Sequence, residues 1–428
     1  MDSAITPSLW AATAPPAPAS GALPAGEHHA DIAVIGGGYT GLACALNLAQ
    51  GGADVALIEA REIGWGASGR NNGQVIPCLS RADPDRILAA YGTEQGEALI
   101  RLVRDSASLV FDLIREHGID CEAVQRGWVQ PAHSRARYDG IVRVRHAEWA
   151  RRGAPVDLLD RDATAAITGS RYWHGAWRNL SGGHLNPLAY VRGLASAALA
   201  VGARVYTHTA AAGIATAGEA WRISTPQGSL VARRVVIATN AYSDQLWPGL
   251  ARTVVPVPSY QMATEPLSKA LRQAILPSDS ALSDTHGDLY FCRFDARGRL
   301  VTGGALVFDV GYEDRLKRLI GARLQTLFPQ LGEVRFDNIW QGDIGMTADG
   351  LPHVHRLADG VYAWVGCNGR GVALATALGG VLADAARGVP ASGLPVAFVP
   401  LAPIAAHALV KRLARLMLLV YRWRDARD

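Results

Sequence analysis

The sequence predicts two interleaved domains followed by a C-terminal amphipathic helix. One domain is α/β, with strand–helix–strand units on a parallel sheet, and the other is α+β, built on an antiparallel sheet. Three observations predict this. The 428 residues exceed one core of ordinary size. Apolar strands alternate with helix-period stretches at the start, after residue 186 and again near the end. Between residues 254 and 345 the pattern changes to short strand-like pieces.

Residues 1–30 are rich in Ala and Pro, with neither a basic stretch nor a continuous apolar run, so they read as an extended lead-in rather than a signal peptide. Residues 31–35 form an apolar strand. A helix follows in which Leu42, Ala45, Leu46 and Ala49 recur at helical spacing, ended by Gly51 and Gly52. Residues 54–58 are a second strand closing at Glu59, which completes a βαβ unit. Helices are expected over 96–117, over the Arg-rich stretch 134–152, and over 187–201, where Pro187 opens the helix and Gly202 stops it. Strands are expected at 204–207, 221–224 and 235–238. The pieces VVPVPSYQMAT, LYFCRF, RLVTGGAL and VRFDNIW build the antiparallel sheet, with a helix at 312–328. Strand 361–365, a loop over 366–371 and an apolar helix from Val372 to about Ala386 return to α/β. The expected domains are therefore 31–90, 186–253 and 346–400 for the α/β unit, 91–185 and 254–345 for the α+β unit, and 401–428 for the terminal helix.

Composition narrows the function. With 49% hydrophobic and 19% charged residues the chain is globular, and no stretch approaches the roughly 20 apolar residues of a membrane span. A net charge of +4 gives nucleic-acid binding little support. Cys44, Cys78, Cys121, Cys292 and Cys367 are widely separated and odd in number, which argues against a disulfide framework or a zinc site and fits the reducing cytoplasm.

Gly36-Gly37-Gly38-Tyr39-Thr40-Gly41 carries the chemistry. It follows a strand, opens a helix, and precedes a second strand ending in Glu59, 18 residues past Gly41. Gly36 permits the turn, Gly38 lets a pyrophosphate reach backbone at a helix N-terminus, and Gly41 lets helix and strand pack closely. Glu59, beside Ala60 and Arg61, is placed to accept hydrogen bonds from a ribose. This is a Rossmann-like dinucleotide site. The loop Gly64–Gln74 narrows the ligand to FAD. Gly66, Ala67, Ser68, Gly69, Asn72 and Gly73 offer backbone amides to the pyrophosphate and flavin edge, and Arg70 and Gln74 add side-chain donors.

At these motifs the sequence resembles the FAD-dependent oxidoreductases of the D-amino-acid oxidase, glycine oxidase and sarcosine oxidase superfamily, most of all their γ-glutamylputrescine oxidoreductase branch. The matching stretches are IAVIGGGYTGLACAL, LIEAREIGWGASGRNNGQ, GGHLNPLAYVRGLA, VVIATNAY, MATEPL, RLVTGGA, GMTADGLP and CNGRGVALATALGG. The resemblance implies that Ala211 holds the adenine through its backbone, that Thr239, Asn240 and Ala241 close over the pyrophosphate, and that Gly369, Arg370, Gly371 and Val372 bring a helix N-terminus to the flavin pyrimidine ring. It also implies non-covalent FAD. The sarcosine oxidase type has a cysteine before its Met-x-Thr stretch, where this chain has Gly345-Met346-Thr347, and residues 61–74 lack the histidine of another type.

The implied reaction is oxidation of a small amine or amino acid, with a terminal amine such as γ-glutamylputrescine favoured. A hydride passes to flavin N5, the imine hydrolyses to aldehyde and ammonia, and oxygen reoxidises the flavin to give peroxide. Alternatives are a dehydrogenase passing electrons to a quinone or carrier, an RNA-modifying flavoprotein, and a flavin binder without catalysis. Candidate substrate contacts are Tyr260, Tyr290, Arg293, Trp340, Met346 and His353, each of which has a packing or surface role open to it as well. Arg293 and Arg370 are the cations that would clamp an α-carboxylate, while Arg293 has a surface pairing with Asp295 or Asp309 as its alternative. His286 reads as solvated and His184 as a loop support. In the tail, Ala406, Leu409, Leu413, Leu416 and Val420 share one face and Arg412, Arg415 and Arg422 another. That pattern packs on its own domain or a second subunit, with peripheral membrane contact as the alternative.

Overall fold

The computed structural model describes residues 5–80, 82–288 and 290–427. Residues 1–4, residue 289 of the expected LYFCRF strand and residue 428 of the tail lie outside them. Two large sheets organise the chain. The first runs in the order His353–Ala358, Val361–Val365, Gly228–Ile237, Gly26–Ile35, Val55–Ile58, Arg204–Tyr206. Its four inner pairings from Val361–Val365 to Arg204–Tyr206 are parallel, and Gly213–Ala217 and Ala220–Ser224 extend it as an antiparallel hairpin. Val55–Ile58 and Val361–Val365 are buried throughout, as strands covered on both faces must be.

The second sheet runs Phe336–Met346, Val255–Thr264, Leu300–Gly304, Phe291–Phe294, Ala281–Ser283, Trp128–Pro131, Ala176–Asn179, Val156–Leu159. It is antiparallel except where Ala281–Ser283 joins Trp128–Pro131 in parallel. The helix Tyr312–Leu327 packs its Leu316, Ile320 and Leu324 into the core on one side of this sheet.

Several expectations are corrected. The lead-in holds a helix, Leu9–Thr13, capped by Ser8, and Trp10 is fully buried with its indole donating to the Asn71 carbonyl. The first strand begins at Gly26, earlier than expected, because Gly26–Ile35 pairs along nearly its whole length with Gly228–Ile237. The expected helix 96–117 begins at Pro84 and bends at Gly92, whose φ of +74° only glycine adopts cheaply. The Arg-rich helix is broken by a π turn over Tyr138–Val142. The tail is two short helices, His407–Leu413 and Met417–Asp425, joined by a 3-10 turn.

The fingerprint helix Tyr39–Gln50 and the late helix Gly371–Arg387 lie side by side. Gly379 makes this possible, because a Cβ there would come within 2.9 Å of the Thr40 carbonyl and the Cys44 amide. The Thr40 hydroxyl donates to the Ala375 carbonyl and ties the two together near their N-termini. Both N-termini consequently open on the same space, beyond the carboxyl ends of the parallel strands, where ligands bind in open α/β sheets.

Candidate active site

That space is one long cavity of about 860 Å³, near the top of the range for small-molecule sites, roughly 300–1,000 Å³. Glu59, Ala60, Arg61, Thr209 and Ala211 line its outer end, and Gly36, Gly38, Tyr39, Thr40, Thr239 and Asn240 the part beside the fingerprint. Gly66, Ala67, Ser68, Arg70, Asn72 and Gln74 form one side. Gly369, Arg370, Gly371 and Val372 form another. Beyond them the cavity passes over the second sheet and ends against the tail.

Four expected cofactor contacts, Gly41, Gly69, Gly73 and Ala241, do not line the cavity. The three glycines let backbone close up around it. A Cβ on Gly41 would sit 1.9 Å from the Gly36 carbonyl, one on Gly69 2.3 Å from the Gly64 carbonyl, and one on Gly73 2.1 Å from the Leu185 carbonyl. Ala241 is buried in the turn after the strand. Its neighbour Asn240, at φ +42°, accepts from the Gly366 amide and joins this turn to the late loop.

The residues present fit FAD on three observations. First, two helix N-termini with their positive dipole ends face the ligand space and neither N-cap residue supplies a side-chain cap, while Ser68, itself on the cavity wall, accepts from the Tyr39 amide. Second, the Nε and Nη2 of Arg70 are buried without a protein partner. The guanidinium stacks on Trp65, with Arg61 stacked on the same ring, and burial lowers its pKa. A buried cation with open donors suits an anionic or carbonyl-rich ligand. Third, the Glu59 carboxylate lies on the cavity floor, accepting from the amides of Gly37 and Arg61 at 2.6 and 2.9 Å. Burial pushes its pKa up against those hydrogen bonds, and ribose hydroxyls are suitable further donors. Gln74 is spent differently from its expectation as a flavin donor. It donates to the Leu282 carbonyl and accepts from Ser283, which fastens the loop to the second sheet.

The substrate side departs further from expectation. In Val255–Thr264 the alternate residues Val255, Val257, Ser259 and Gln261 line the cavity, joined by Pro258 between them. Tyr260 falls on the other face, where it stacks on Tyr312 and donates to Asp309 at 2.5 Å. Trp340 lies under the cofactor loop, donating to the Arg70 carbonyl and meeting Trp10 edge-on. Met346 does line the cavity. Tyr290 stacks on His286, 3.9 Å away, with Arg323 over its ring. His286 is buried rather than solvated, bonded to Asp284 and stacked on its other side by His133. His353 pairs with Asp349, and buried His184 contacts the Asp279 carbonyl as a loop support.

Arg293 is neither at the surface nor a clamp. It is fully buried, and Nε, Nη1 and Nη2 donate to the carbonyls of Asn72, Phe294 and Leu185. Burial pulls its pKa down to about 10. Gly73 exists partly for this residue, since a Cβ there would lie 2.6 Å from Arg293 Nη2. Arg370 stacks over Trp128 with Nη1 directed at Cys78 Sγ.

Sequence reasoning missed Trp65, Tyr242, Gln261, Phe291, Asp343 and the tail residues Arg415, Met417, Leu418 and Tyr421, all of which line the cavity. Period-2 alternation from Val255 could have found Gln261. Nothing local marks the rest. Burial raises the pKa of Asp343, while Lys411, Arg70 and Arg415 pull it back. Among the described residues no cluster of His, Cys, Asp or Glu could hold a metal ion.

Residues 31–385 match the family described as FAD dependent oxidoreductase. The chain belongs to that family. It is an FAD-dependent oxidoreductase. It is 33% identical over 360 residues to γ-glutamylputrescine oxidoreductase of Escherichia coli, covering 84% of each chain. It is 24% identical over 374 residues to glycine oxidase of Geobacillus kaustophilus, covering 83% of this chain and 93% of that one. The crystal structure of the Geobacillus enzyme superposes with a TM-score of 0.72 at 22% identity, covering 87% of this chain and 99% of that one. L-proline dehydrogenase from P. horikoshii superposes with a TM-score of 0.73 at 21% identity, covering 87% and 96%. These two structures share the fold.

Proposed function

We propose that this enzyme oxidises a terminal amine, with γ-glutamylputrescine as the favoured substrate, to an aldehyde and ammonia, using non-covalent FAD and oxygen. Bound FAD supplies the two-electron acceptor for a hydride from the carbon that bears the nitrogen. The chain's own groups bind and orient the substrate. Gln261, Ser259 and Asn72 offer neutral hydrogen bonds, Met346, Phe291 and Ile76 exclude water, and the Asp343 carboxylate accepts from an ammonium end.

The observation that carries the amine reading is the commitment of Arg293. An α-amino acid oxidase holds its substrate carboxylate with a cation, and the guanidinium best placed for that by sequence spends its donors on three main-chain carbonyls. Arg415, the cation of the tail wall, is likewise paired with Asp309 at 2.5 Å. The 33% identity to the γ-glutamylputrescine enzyme supports the same choice. Gly345 before Met346 supports non-covalent FAD, and acid precipitation is expected to release the flavin into the supernatant.

The test is product analysis during turnover. Aldehyde and ammonia in equal amounts, with matching oxygen consumption and peroxide, are expected from γ-glutamylputrescine. Production of 2-oxo acids from α-amino acids, with terminal amines inert, overturns the reading. Reduction of a quinone or dye without oxygen uptake would instead make the enzyme a dehydrogenase, a second reading that the exposed apolar tail favours.

A further inference from the structure

The tail has two faces with different neighbours. On the inner face Val410, Ala414, Met417, Leu418 and Tyr421 form a wall of the cavity. Polar contacts hold this face down. His407 bonds the Val254 carbonyl, Arg415 pairs with Asp309, Arg422 reaches both Asp288 and the Ala305 carbonyl, and the Gly287 amide donates to Asp425. The outer face is a stripe of Leu409, Leu413, Leu416, Val420 and Trp423, spaced by four, three, four and three residues, and all of it is exposed; Leu409 and Trp423 are each 55% accessible. Phe308 and Val310, the latter 86% accessible, flank Asp309 and so lie beside Arg415 of the tail. Of 16 exposed large hydrophobic residues among those described, ten lie in this region. Scattered apolar side chains need no explanation, but a concentration of this kind marks an interaction surface.

Charge identifies the occupant. Residues 401–428 contain six cations and two carboxylates, so they carry the whole net charge of +4, and the other 400 residues balance at 36 of each sign. Arg415 and Arg422 hold the tail to the protein. Lys411, Arg412, Arg424 and Arg427 are exposed and form no ion pair with a carboxylate among the described residues. A second copy would bring an equally positive face against the first. An anionic lipid surface offers both a place for the apolar stripe and the opposite charge. Among the described residues no helix is long and apolar enough to cross a membrane, so the contact would lie in the interface.

We propose that the outer face of residues 407–425 docks this enzyme on an anionic membrane surface. Because the inner face of the same segment walls the cavity, docking sets the substrate end of the cavity against the bilayer. The proposal does not depend on which amine is oxidised.

The experiment is flotation of the FAD-loaded protein with vesicles of phosphatidylcholine alone or with an equal part of phosphatidylglycerol. The protein is expected to float with the anionic vesicles, to bind the neutral ones at least about tenfold less, and to be released by high salt. The double variant Leu413→Glu, Trp423→Glu, and separately Lys411→Glu, Arg412→Glu, are expected to retain FAD and remain with the unbound protein. Wild-type protein that stays unbound with anionic vesicles overturns the proposal, as do variants that float undiminished. A dimer in light scattering that Leu413→Glu disperses, with no flotation, makes the face a contact between copies and also overturns it. Flotation is read without substrate, so its outcome is independent of the amine assignment.

Discussion

The end of the cavity beside the fingerprint and the end over the second sheet, proposed for cofactor and substrate respectively, are assembled in different ways. Around the cofactor, most of the wall comes from two continuous stretches, Gly36–Gln74 and Gly369–Val372, and its key contacts are backbone amides and close glycine packing. At the substrate end, the wall is gathered from strands Val255–Thr264 and Phe336–Met346, from Phe291, and from the tail. A local backbone device needs particular residue types at fixed spacing. A gathered wall needs only that some side chain of suitable shape arrive at each place.

Substitutions separate the two ends. The largest effect is expected at Gly41→Val, where the side chain would meet the Gly36 carbonyl at 1.9 Å. Overpacking of this kind costs ~3 kcal/mol, and the purified protein should be colourless while its circular dichroism stays near that of the wild type. Arg293→Met comes next. It strands three main-chain carbonyls and should lower stability by about 2–3 kcal/mol in denaturant titration. In whatever folds, the KM for the amine should stay within about twofold, whereas loss of a carboxylate clamp would raise it by roughly 1.5–3 kcal/mol of binding.

Arg70→Gln should weaken FAD, by about 1.5–3 kcal/mol or ~10–150-fold in dissociation constant by fluorescence titration, because the open donors of Arg70 then have no counterpart. Asp343→Asn should cost about tenfold in kcat/KM for the amine with FAD affinity unchanged. Its pH signature follows from burial, which raises the carboxyl pKa. As pH falls, Asp343 protonates earlier than an ordinary aspartate, so the acid limb of the kcat/KM profile lies higher than usual and should disappear in the Asn variant. Stability has the opposite sense. With the folded pKa raised, the contribution of Asp343 is present in full at low pH and is lost as pH rises through that pKa, so the Asn variant should gain on the wild type there.

The same contrast explains what was legible in the sequence. The βαβ unit, Glu59 and the loop through Arg70 could be read because turns, close approaches and helix starts have local sequence signatures. The substrate wall could not be read that way. Tyr260 and Gln261 are adjacent and both polar, and only the phase of one strand sends Gln261 to the cavity and Tyr260 to Asp309. Arg293 looked like a clamp because guanidinium groups often are clamps. Its three carbonyl partners come from distant segments that no spacing rule connects. Trp10 was missed inside an Ala- and Pro-rich lead-in because its pocket is made by the Asn71 loop and Trp340. The tail's helical period was visible, but its division into a cavity wall and an exposed stripe depends on the sheet that it lies against.

The central claim is that the end of the cavity opposite the adenine site presents an amine to bound FAD. Anaerobic mixing of the FAD-loaded protein with γ-glutamylputrescine, unlabelled or deuterated at the carbon bearing the terminal nitrogen, tests it most directly. The expected result is bleaching of the flavin absorbance by substrate alone, slowed by deuterium. Bleaching by α-amino acids with none by terminal amines would contradict it.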